Sequence, residues 1–165
     1  VALWASLFTA PLFVLLGLSG ARLLAPFALE GEVQTLALQF WQPRMLGAGL
    51  GVALWAVLGF FNGTGHARLT LVINLVTLTV NALLAWLFVF RFEWGVPGAA
   101  WATNCATGAG LVCALALFLG APEFARYRAR LTWRLNLTSL LRQFRLGLPM
   151  GIGLAADLFG FALFQ

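Results

Sequence analysis

The chain alternates long apolar runs with short polar connectors. The runs extend over residues 2–26, 37–61, 69–90 and 97–119, and a fifth begins at 146 and is still apolar at Gln165. None shows the one-in-two alternation of a barrel strand, and each approaches the ~20 residues that carry a helix across a ~30 Å hydrocarbon core. The pattern predicts an all-α fold: five transmembrane helices in a polytopic bundle.

The connectors differ in charge. Ala28-Leu29-Glu30-Gly31-Glu32-Val33-Gln34 is acidic and Asn62-Gly63-Thr64-Gly65-His66-Ala67-Arg68 is glycine-rich and weakly basic. Arg91-Phe92-Glu93-Trp94-Gly95 is neutral, and the fourth connector, 120–145, holds Arg126, Arg128, Arg130, Arg134, Arg142 and Arg145 against Glu123 alone. That connector carries the whole formal net charge of +5. Positive charge stays on the cytoplasmic side of a membrane protein, so the second and fourth connectors are expected inside and Glu30, Glu32 and Glu93 outside. Trp41 and Trp94 fall near the predicted interfaces, where indole rings concentrate.

Composition excludes the main rival class. Hydrophobic residues make up 62% of the chain, charged residues 9%, and the mean hydropathy is +0.94, whereas soluble domains carry about 25% charge. Too few polar residues remain to cover a surface in water. No basic stripe on a soluble domain exists to bind nucleic acid, so none is expected as a partner. The first apolar stretch is too long for the ~7–15-residue core of a secretion signal. Because the sequence opens at Val1 and breaks off within an apolar run, it reads as a piece of a longer polypeptide.

Three features refine the picture. Pro11, Pro43 and Pro149 lie within or at the entry of spans, where a missing N–H bends a helix. The fourth connector is long enough for an amphipathic helix on the cytoplasmic headgroups, with Tyr127, Leu131, Trp133, Leu135 and Leu137 interleaved with Arg. Cys105 and Cys113, eight residues apart in one apolar run, read as small helix-contact residues instead of a disulfide or metal pair.

Candidate chemistry is sparse, and one acid stands out. Asp157 lies ~22 Å along the fifth helix from Arg142 at ~1.5 Å per residue, well inside the hydrocarbon. An ionisable side chain there costs roughly 2.5–3.5 kcal/mol on insertion scales and marks an ion path or a buried pair. Asp157 is therefore the candidate site for a proton or sodium ion. Asn74, Thr77, Thr79 and Asn81 on the third span and Thr103, Asn104 and Thr107 on the fourth either line a wet cavity or hold the helices together at about 1 kcal/mol each. Gly98, Ala99, Ala100, Ala102, Ala106, Gly108 and Gly110 let backbones approach closely. The Gly-Thr-Gly-His turn lacks the strand context of a phosphate loop, and His66 reads as a solvated turn residue. No Ser/His/Asp set, carboxylate pair or metal-ligand cluster can be assembled, so no enzymatic activity and no cofactor are expected.

The segments Phe60-Phe61-Asn62-Gly63-Thr64-Gly65-His66-Ala67-Arg68, Asn81, Gly95-Val96-Pro97-Gly98-Ala99-Ala100-Trp101-Ala102-Thr103 and Leu146-Gly147-Leu148-Pro149-Met150-Gly151 occur in an order and spacing that resemble the multidrug and toxic compound extrusion (MATE) family. The resemblance covers nearly the whole chain and corresponds to the third through seventh of twelve helices. It implies two six-helix lobes related by pseudo-twofold symmetry, with residues 1–119 in the first lobe, 120–145 as the cytoplasmic linker and 146–165 opening the second. It also implies a multi-pass protein of the cell membrane, with the bacterial inner membrane expected, that exchanges sodium or protons for cationic or amphipathic compounds. Asp157 matches the acid, commonly Glu, of the seventh helix. Asn81 and Thr103 match positions that join a first-lobe cation site in some members, and Ala85 stands where those members carry Asp. The alternatives are a lipid-linked oligosaccharide or lipid flippase of related fold, with Arg22, Arg44 and Arg91 as its basic candidates, and a non-transporting membrane scaffold.

Overall fold

A 26-residue helix built largely from small residues forms the axis of the fold. In the computed structural model, which describes residues 2–25, 31–125 and 137–163, this helix is α6, Gly95–Gly120. Its buried positions are Gly98, Ala100, Ala102, Asn104, Ala106, Thr107, Gly110 and Ala114, so neighbouring backbones meet it closely. Helices α3 (Gly31–Leu46), α4 (Ala48–Gly63) and α5 (Ala67–Trp86) all pack on it. A Cβ at Gly110 would overlap the Thr77 hydroxyl of α5, and one at Gly98 would press on the Phe88 backbone.

The larger side chains fill the end of the bundle where α4 turns into α5. Leu54, Val57, Leu58 and Phe61 of α4 meet Ile73 of α5, Ala114 of α6 and Phe124 of the short helix α7, Pro122–Ala125. The Phe60 and Phe118 rings lie edge to face, 4.9 Å between centroids, and Phe61 and Phe124 are fully buried beside them. At the opposite end, α5 runs into a π turn, Leu87–Arg91, where the Phe92 amide donates to Leu87 O at 3.0 Å. The following turn closes through Glu93 at φ 55° and Gly95 at φ 57°.

Among the described residues two helices are long and apolar enough to cross a membrane, Ala67–Arg91 and Gly95–Gly120. Counting α3 and α4 as one span bent by 51° gives a third. Two to three of the five expected spans therefore stand. The fold is all-helical among these residues, and its outer faces are apolar: Trp55 is 78% exposed and Met150 76%. Apolar surface this extensive belongs against lipid or further helices, as in a membrane protein.

Three boundaries differ from those expected. The run over 2–26 is not one helix: α1 spans Ala2–Leu18, and α2, Gly20–Leu24, follows a break at Ser19. Its 17 residues reach only ~26 Å at the helical rise. The Trp41 indole of α3 donates to Leu16 O at 3.1 Å, one of the carbonyls that a helix end leaves unpaired. The second run begins earlier than expected, at Gly31, and bends between Leu46 and Ala48. Helix α8, Leu137–Leu163, starts inside the expected linker and carries Arg142 and Arg145 in its early turns. Tyr127, Leu131, Trp133 and Leu135, the core of the expected interfacial segment, lie outside the described residues.

Candidate functional site

Adjacent residues of α6 hold two different neighbours. Thr103 meets α5: the Asn81 Nδ2 donates to the Thr103 Oγ1 at 3.2 Å. The Thr103 hydroxyl donates in turn to Ala99 O at 3.0 Å, one helical turn back. Thr107 bonds to Thr103 O at 2.7 Å, and Thr77 to Ile73 O at 2.8 Å. These hydroxyls satisfy themselves on their own helices, as Ser and Thr commonly do inside apolar segments. What is left for a ligand at this contact is the amide oxygen of Asn81 and one lone pair on Thr103. The structure thus brings together the two positions singled out on the third and fourth spans.

Asp157 is not part of that contact. It is exposed on α8, which touches α1 and neither α5 nor α6 among the described residues. Asn74 and Thr79 are also exposed on α5, and the Thr79 hydroxyl bonds to Leu75 O at 2.8 Å.

The second neighbour is the bend between α3 and α4. Asn104 is 4% exposed, and its Nδ2 donates to Pro43 O at 2.6 Å while its Oδ1 accepts from the Arg44 Nη1 at 3.2 Å. Pro43 O also accepts the Gly47 amide at 3.3 Å. The Asn104 amide occupies the space that a Cβ on Gly47 would need. Glycine at the bend and asparagine on the facing helix therefore fit one another. From residue spacing alone Asn104 is one of several polar groups that either line a wet cavity or hold helices together, and nothing in that spacing pairs it with Arg44. The signal available was a Pro-Arg pair followed by Gly47 within an otherwise apolar run.

A third polar group closes the turn between α4 and α5. The Thr64 hydroxyl lies 2.9 Å from Phe60 O and 3.1 Å from the His66 Nδ1, and the His66 Nε2 is 3.4 Å from the Glu123 Oε2. His66 also rests on the Phe124 ring, 5.1 Å between centroids. It ties the turn to α7, in place of the solvated role expected for it. Among the described residues no group of three or more His, Cys, Asp or Glu side chains could hold a metal ion.

Comparison with protein-family models, curated proteins and solved structures finds no match to this chain.

Proposed function

We propose that the protein is a secondary active exporter of the MATE type, coupling the entry of sodium or protons to the efflux of cationic or amphipathic compounds by alternating access. Support comes first from the ordered motifs between Phe60 and Gly151. The observation that carries the reading is the Asn81–Thr103 hydrogen bond: two positions picked out by the resemblance, 22 residues apart in sequence, are neighbours across α5 and α6. In this reading α1 and α8 are further spans of a twelve-helix, two-lobe protein of the bacterial inner membrane. Asp157 on α8 takes up the coupling cation, and the two access states differ in their affinity for it.

The test uses the full-length protein in inverted vesicles, with a fluorescent cation as substrate and an imposed sodium or proton gradient. Asp157→Asn is expected to abolish gradient-driven transport at normal expression, and Asp157→Glu to retain it. Transport by Asp157→Asn at the parental rate removes the carboxylate from the mechanism. The flippase reading has one observation in its favour, the position of Arg44 well within the bent helix pair.

A further inference from the structure

Arg44 is 13 residues into the α3–α4 pair, and its partner Asn104 is nine residues into α6. At ~1.5 Å per residue, centring α6 in a ~30 Å slab places Asn104 ~10 Å inside the nearer boundary, the one beside Gly31 and Gly95. A long Arg side chain at such depth ordinarily stretches toward the interface. Here the hydrogen bond to the Asn104 Oδ1 holds Nη1 at the level of α6.

Asn104 is set to do this. Its nitrogen is committed to Pro43 O, so its oxygen faces the guanidinium, and Gly47 leaves room for the amide. The amide fixes the guanidinium without neutralising it. Arg remains protonated in proteins, and among the described residues the one ion pair is His66 with Glu123. The Nε and Nη2 of Arg44 have no acceptor among the described residues, yet no buried side-chain nitrogen is left unbonded. These N–H groups therefore open onto the molecular surface. A full positive charge at membrane depth, oriented by a buried amide and without an acidic neighbour among the described residues, calls for an anion.

We infer that Arg44, positioned by Asn104, binds a phosphate group at the bend between α3 and α4. The planar fork of a guanidinium matches two phosphate oxygens at once, and the level of the site is within reach of lipid headgroups. The phosphate belongs either to an acidic lipid or to a soluble molecule. The inference requires only that these helices cross a membrane and is independent of the exporter reading.

The full-length protein, purified in a neutral detergent, is titrated with dioctanoyl phosphatidylglycerol followed by native mass spectrometry, and separately with radiolabelled inorganic phosphate by equilibrium dialysis. Arg44→Gln is expected to weaken binding at least about tenfold, the loss of a charged, two-point hydrogen bond. Arg44→Lys, which keeps the charge but not the fork, is expected to weaken it about threefold. Arg68→Gln, at an exposed position at the start of α5, leaves it unchanged. Loss of both ligands in Arg44→Gln identifies a site open to solutes, and loss of lipid alone identifies a headgroup site. Equal binding by the parent and Arg44→Gln, or no binding of either ligand by the parent, overturns the inference. Should Arg44→Gln not fold, Arg44→Lys replaces it in the comparison, and binding equal to the parent is then the overturning result.

Discussion

Thr103 and Asn104 are consecutive on α6, yet they hold its two neighbours in different ways. Toward α5, an amide meets a hydroxyl that already has a carbonyl on its own helix. Toward α3, a buried amide takes both a backbone carbonyl and a charged side chain at a helix bend. Losing the first contact leaves partners that are largely satisfied. Losing the second takes from the guanidinium the amide that orients it and leaves the Pro43 carbonyl only the 3.3 Å bond from Gly47, a larger loss of polar contact. The two contacts fit the difference between helix adhesion and a helix whose shape depends on one side chain.

The largest effect is expected at Gly47. A methyl there displaces the Asn104 amide, so Gly47→Ala is predicted to lower stability by about 3 kcal/mol, at the upper end for overpacking. Denaturation of the purified protein by a graded detergent titration, followed by tryptophan fluorescence, checks this. Combining it with Asn104→Ala removes the clash, so the pair is predicted to cost well under the sum of the two. Strict additivity means the two residues do not meet.

Asn104→Ala alone comes next, at about 2 kcal/mol, because it removes the bond that orients Arg44 and leaves Pro43 O only the long bond from the Gly47 amide. The same titration reads it. Asn81→Ala is the smallest, at about 0.6 kcal/mol, the average for polar contacts between membrane helices. Were Asn81→Ala to cost as much as Asn104→Ala, the distinction between the two faces of α6 would be lost.

The long helices were readable because their ends are chemically sharp. The expected spans 69–90 and 97–119 fall within the observed Ala67–Arg91 and Gly95–Gly120. They are bounded by His66 and Arg68 on one side and by Arg91, Glu93 and Gly95 on the other. Ser19 is different: the surrounding run stays apolar, and the break there accompanies a contact from Trp41, 25 residues away. No local pattern records such a contact. The start of α8 lies ahead of the apolar run at 146 because Leu-rich sequence from Leu137 onward favours helix through the charges of Arg142 and Arg145, which an apolar pattern does not count. At the candidate site, Asn81 and Thr103 were legible through a resemblance. The Arg44–Asn104 contact was not, because it depends on how a bent helix pair lies on α6, which residue spacing along one helix does not encode.

If these helices cross a bilayer with α5 and α6 as successive spans, the turns at their two ends face opposite sides. Single cysteines at Glu32, Arg68 and Glu93, placed in a background lacking Cys105 and Cys113, can be labelled in intact and permeabilised cells with a membrane-impermeant maleimide. Positions 32 and 93 are expected to react in intact cells, and position 68 only after permeabilisation. Reaction of positions 68 and 93 from the same side would contradict the crossing.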